Sequence, residues 1–137
     1  MTDAVLPSGV AIAMLLACGL CVYVWWRLRA RRRLSRSVCV RIQRAWEHAQ
    51  SVTDPAMSVL ESEKVVDQLL GALGYSGSFG EKLKRAGPRL PNVDVVWRAH
   101  KLRNRLAHEP GVSVTKQEAR KAVEAFGKLV QEFIRVH

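Results

Sequence analysis

The chain is 137 residues long, enough for one domain of ordinary size, and 48% apolar with 25% charged residues, a composition that excludes a disordered or low-complexity chain. Lys and Arg number 22 against 12 Asp and Glu, and the resulting +10 predicts attraction to anionic partners, either phospholipid or nucleic acid. The three cysteines, Cys18, Cys21 and Cys39, suit neither a disulfide framework nor a metal site, so neither a metal nor a cofactor is expected.

The first element is apolar. Val10 to Trp26 carries no charge, and at about 1.5 Å per residue it and its flanks cover roughly 25 to 35 Å, against about 30 Å of hydrocarbon in a bilayer. Tyr23, Trp25 and Trp26 stand where an interfacial aromatic belt belongs. Asp3 precedes the run and RLRARRR follows it, the reverse of a cleaved signal peptide. The expectation is a single transmembrane helix with the N-terminus outside and everything after Trp26 in the cytoplasm. Residues 1–26 form the anchor on this reading, 27–44 an arginine-rich juxtamembrane segment leading into the first bundle helix, and 45–137 a helical bundle. Arg27, Arg29, Arg31, Arg32 and Arg33 are then candidates for contact with anionic lipid headgroups. A thiol in such a setting has its ionisation disfavoured, so the Cys18-x-x-Cys21 spacing reads as apolar filler rather than a redox pair.

Helical periodicity dominates the remainder. Val38, Ile42, Ala45, Trp46 and Ala49 keep the three-and-four spacing of a buried stripe over about Ser37 to Ser51. Asp54-Pro55 opens a second helix with an apolar face of Val59, Val65, Val66, Leu69 and Leu70, ending near Gly71 to Gly74. GYSGSFG reads as a loop, followed by a short helix from Glu81 to Ala86. It lacks the Gly-Lys-Ser/Thr ending of a phosphate cradle. Asn92 is expected to cap a helix from Val93 to His108 or Glu109, with Val95, Ala99, Leu102 and Leu106 inward, closed by Pro110-Gly111. Thr115 and Glu118 form a capping box for the last helix, whose Ala119, Ala122, Val123, Phe126, Leu129, Val130, Phe133 and Ile134 face one side. No strand pattern occurs. Short connections between such helices predict an up-and-down bundle, so the fold class is all-α.

One segment has the residue types of a chemical site. Ala99 to Pro110 (AHKLRNRLAHEP) holds two histidines, an asparagine and two arginines at the end of a helix. Arg103, Asn104 and His108 resemble the signature of the HEPN superfamily, an Arg, a polar residue, a few variable residues and a His near the end of a bundle helix. With the GEKLK segment and the capped last helix, the resemblance covers about Val59 to Phe133. It implies a bundle that dimerises and, in active members, cuts RNA without metal.

The chemistry suits those residues. Cleavage of RNA by its own 2′-OH needs a proton-transfer group, for which His108 is the candidate, and a cationic donor for the phosphate oxygens, for which Arg103 is. Asn104 would orient either partner. On an ideal helix Arg103 and His108 stand about 140° apart, whereas His100, Asn104 and His108 follow one another at i, i+4 and i+8. Either a two-fold composite site between copies or a break in the helix before Pro110 would reconcile this. Lys82, Lys84, Arg85, Arg98, Lys101 and Arg105 add candidate contacts to RNA, and an ordinary solvated face accounts for the same charges. Trp97 reads as packing at the core edge. His48 and His100 have no metal-ligand spacing. The partners expected are therefore a membrane, lipid headgroups, RNA and a second copy. A metal-independent ribonuclease or RNA-binding domain competes with a non-catalytic adaptor for protein interaction or dimerisation.

Overall fold

The computed structural model describes residues 5–29 and 34–135, with side chains placed from 9 to 24 and from 34 to 135. The chain divides into two units, Met1–Arg32 and Arg33–His137. The first contains one helix, α1 (Val5–Arg29). The second contains α2 (Arg36–Ser51), α3 (Pro55–Ala72), the short α4 (Phe79–Ala86) with a 3-10 turn at Gly87–Arg89, α5 (Val93–His108) and α6 (Lys116–Ile134). No strand occurs among the described residues.

Helix α1 corrects the first expectation. Its side chains from Val10 to Val24 are exposed, yet among the described residues no helix is long and apolar enough to cross a membrane. The transmembrane part of the expected fold class is corrected accordingly, and so is the localisation derived from it, with its outside N-terminus and cytoplasmic bundle. The side chains of Arg27 and Arg29, and the whole of Arg31, Arg32 and Arg33, lie outside the described residues, as does the headgroup contact expected of them.

The second unit is a helical bundle. Only three residues join α2 to α3, and Asp54 accepts a hydrogen bond from the Met57 amide at 2.7 Å, with Pro55 at the first helical position. Ala49, Val52 and Pro55 border the same recess as Lys116, Ala119 and Val123, so α2 ends where α3 and α6 both begin. Val95 and Leu102 of α5 border another with Glu118, Ala122 and Lys128 of α6. Helices α3 and α6 thus run in the same direction, opposite to α2, and α5 packs beside α6. Helix α3 packs on α2, α4, α5 and α6, most extensively on α6, and the two together supply most of the core: Val59, Val66, Leu69, Leu70, Phe126, Leu129 and Val130 are all buried.

Small residues permit that approach. Ser62 on α3 and Ala119, Ala122, Ala125 and Gly127 on α6 are buried, and a Cβ at Gly127 would stand 2.7 Å from Trp46 Cζ2 of α2. The Trp46 ring therefore occupies the space a side chain would take. The apolar stripes of α3 and α6 follow their sequence periodicity, and Cys39 joins the core of α2 as a free thiol.

Two local differences matter for the site. The short helix starts at Phe79, not Glu81, because Ser78 and Glu81 close a capping box in the loop. In α5 Val95 points outward at 38% exposure while Val96 is buried at 2%. The helix is rotated because Val96 and Ala99 form its buried line, which leaves His100 and Arg103 turned toward α3. Asn92 makes no side-chain cap. It adopts φ 52°, the left-handed conformation that asparagine tolerates better than most residues.

Candidate functional site

Glu63 is the buried charge of the bundle. It sits in the middle of α3 at 5% exposure, where an unpaired carboxylate would be costly. Two residues of α5 meet it. His100 Nδ1 lies 2.7 Å from Glu63 Oε2, and Arg103 Nε lies 2.9 Å from Oε1. The second contact is an ion pair at short range rather than an aligned hydrogen bond, since the Nε hydrogen is not directed at that oxygen.

Asn104 joins the same group. Arg103 Nη1 donates to Asn104 Oδ1 at 3.3 Å, and Asn104 Nδ2 stands 3.1 Å from His100 Nε2. The four side chains close a ring: Glu63, His100, Asn104, Arg103 and back to Glu63. Its polarity fixes the protons. Arginine has only donors, so the oxygen of Asn104 faces Arg103 and its NH2 faces His100. His100 Nε2 must then accept, which makes the imidazole neutral with its proton on Nδ1, donated to Glu63.

Aromatic rings hold the histidine in place. The Phe79 ring of α4 lies 4.8 Å from that of His100, and the Trp97 ring of α5 lies 5.7 Å away nearly edge-on. Phe79 in turn meets Phe126 of α6 edge to face at 6.2 Å. Capping of α4 by Ser78 is thus what brings an aromatic wall against the ring. Trp97 does stand at the core edge, half-buried.

The ring of polar groups opens onto a cleft of about 630 Å³ between α3, the start of α4 and α5, whose lining includes Lys64, Asp67, Ser78 and Gly80. Arg103 is about a quarter exposed there. Its Nη2 takes part in no hydrogen bond or ion pair among the described residues, so one edge of the guanidinium remains for a ligand.

His108 lies elsewhere. It is the last residue of α5, exposed, and forms no side-chain hydrogen bond or ion pair among the described residues. Each step of four residues turns a helix about 40°, so a line begun at His100 and Asn104 has rotated out of the cleft by His108. Beyond it Glu109 is extended (φ −98°, ψ 117°), so the helix ends without redirecting the histidine. Within one chain, then, Arg103 and Asn104 are brought together and His108 is not.

The basic candidates divide into two kinds. Lys82 is engaged, paired with Asp67 at 2.8 Å, and Arg85 donates to the Ser76 carbonyl and hydroxyl at 3.3 and 3.4 Å. Lys84, Arg98 and Lys101 are exposed, and Arg105 makes a loose pair with Glu109 at 3.7 Å. Arg98, Lys101, Arg105 and His108 recur at helical spacing, forming an outward stripe on α5. No group of acidic, histidine or cysteine residues able to hold a metal ion is found among the described residues.

No family model, characterised protein or solved structure matches the chain. What sequence reasoning missed was Glu63. It reads as one more polar residue in LESEK, and only its burial on the α5-facing side of α3 marks it. His100 was visible as a neighbour of Asn104, but without its partner it had no role.

Proposed function

We propose that the bundle is a HEPN-like RNA-binding domain that, as a pair of chains, cuts RNA without metal. The observation that supports this most is the division on α5: a guanidinium oriented by Glu63 and Asn104 with one edge open, and an exposed imidazole, without a partner among the described residues, at the end of a basic stripe. Arg103 and His108 are separated by about 7.5 Å of rise and about 140° of turn, too far round the helix to meet at one phosphate. A second copy across a two-fold axis supplies the missing member to each site.

In such a site one imidazole takes the proton of the 2′-OH, and the 2′ oxygen attacks phosphorus. The bond to the 5′ oxygen breaks, that oxygen leaves with a proton, and a 2′,3′-cyclic phosphate remains. Arg103 stabilises the charge that develops on the non-bridging oxygens, since a planar guanidinium pairs with phosphate at two points. Arg98, Lys101 and Arg105 bind the backbone without reading sequence, an attraction that salt weakens. The requirement for a hydroxyl selects RNA over DNA.

The test uses the full chain with labelled RNA in EDTA, and DNA of the same sequence as control. Wild type is expected to cut RNA only, and Arg103→Lys and His108→Ala to cut neither. Mixing those two variants should restore about a quarter of wild-type activity, because half of the pairs are mixed and each mixed pair holds one intact composite site. Failure of every folded protein to cut would reject catalysis. A second reading, a non-catalytic adaptor for protein interaction or dimerisation, is favoured by the closure of the Glu63 ring within one chain, which engages Arg103 through Nε and Nη1 without any ligand. It predicts no cleavage and self-association unchanged in both variants.

A further inference from the structure

Taking RNA phosphate as the ligand of Arg103, as proposed above, we infer that the Glu63, His100, Asn104 and Arg103 ring is an acid-opened latch on that arginine. The latch is made by the tautomer. Asn104 can face Arg103 with its oxygen only while it faces His100 with its NH2, and His100 can accept that NH2 only while Nε2 is bare.

A proton added at Nε2 sets two donors against each other across 3.1 Å. The Asn104 amide must then turn over. Its oxygen now meets the imidazolium, and its NH2 meets Arg103 Nη1, which also has nothing but protons to offer. At the same time the imidazolium, still bonded through Nδ1 at 2.7 Å, competes with Arg103 for the charge of Glu63. Both holds on the guanidinium loosen in one event, and Arg103 is released toward the cleft.

The groups around His100 come from three helices. On α3 it is faced by Glu63, with Lys64 and Asp67 along the same cleft. On α4 the neighbours are the Phe79 ring and Gly80, and Lys82 is held by Asp67. On α5 they are Trp97, Arg103 and Asn104. Between about pH 8 and about pH 5 imidazole is the side chain here that ordinarily changes charge.

The experiment compares RNA binding by full-length wild type, His100→Gln and Arg103→Lys between about pH 8 and about pH 5.5. Glutamine can donate and accept at position 100 without titrating, and His48, His108 and His137 remain to supply the same background in every protein. Wild type is expected to gain about tenfold more affinity on acidification than His100→Gln, the effect of one charge-assisted phosphate contact, and Arg103→Lys to lack that extra gain. Equal gains in wild type and His100→Gln would overturn the latch. Absence of RNA binding at every pH would reject the choice of ligand, and the latch is then read without RNA, from the nitrogen resonances of the imidazole. A proton on Nδ1 at about pH 8, with an Arg103 Nε–H signal that broadens on acidification in wild type but not in His100→Gln, supports it. A proton on Nε2 at that pH overturns it.

Discussion

Arg103 lies forty positions beyond Glu63 in the chain, yet its Nε stands 2.9 Å from a carboxylate oxygen that water scarcely reaches. The pair fastens α5 to α3, and its two members are not equivalent. Glu63 is almost wholly buried, whereas Arg103 keeps about a quarter of its side chain in solvent. Removing the arginine leaves a buried carboxylate with, among the described residues, His100 as its remaining partner. Arg103→Ala is therefore expected to cost about 2 to 3 kcal/mol, somewhat below the usual figure for a fully buried pair because its guanidinium is partly hydrated. Glu63→Gln should cost less. Chemical denaturation of the two single variants and the double variant measures the coupling, and additivity within about 0.5 kcal/mol would show that the contact contributes nothing.

The glycines of α3 and α6 predict opposite outcomes for the same substitution. A Cβ at Gly127 meets the Trp46 ring at 2.7 Å, and that ring is buried. Gly127→Ala should destabilise by about 1 to 2 kcal/mol, overpacking outweighing the gain in helix propensity. At Gly71 the nearest atom is Lys82 Nζ at 3.8 Å, an ordinary contact, so Gly71→Ala should stabilise by about 0.5 to 1 kcal/mol. Denaturant midpoints read both, and the fluorescence of Trp46 should move only in the first.

Acid should act on the two capping boxes. The Thr115 backbone N–H and then its hydroxyl donate to Glu118, and Ser78 does the same for Glu81, so both carboxyls are held below the usual glutamate range. A depressed folded-state pKa gives stability that is present above the ordinary value and fades as pH falls through the lowered one. Thermal melts of wild type and Glu118→Gln should thus differ at neutral pH and converge as pH falls through the lowered carboxyl value. A constant difference across that range would mean that the charge of Glu118 is irrelevant to the cap.

His108 offers the contrasting case. Exposed and without a side-chain partner among the described residues, His108→Ala should change stability by less than about 0.5 kcal/mol. A much larger loss in a melting experiment would place the side chain in a contact within the fold, and would remove it from the outward face on which the proposed composite site depends.

Much of the architecture was legible before any coordinates, because its signals are local. Asp54-Pro55, Thr115 with Glu118, and the glycines at 74 and 111, which take φ of 86° and 77°, mark helix ends through atoms within four residues of one another. Three-and-four spacing likewise named the buried faces of α3 and α6. It misplaced α5 by one position, Val95 for Val96, since adjacent valines at the start of the helix leave its rotation to its neighbours. Length and apolarity of the first segment were read as a membrane span that the described part of α1 does not bear out.

What the sequence by itself determined was where helices start, stop and turn their apolar sides, since capping and periodicity act over one or two turns. Only the tertiary structure decided that Glu63 would meet His100 and Arg103, and that His108 would face away. Those outcomes depend on how α3 and α5 pack, through contacts 37 and 40 positions apart for which no spacing rule exists.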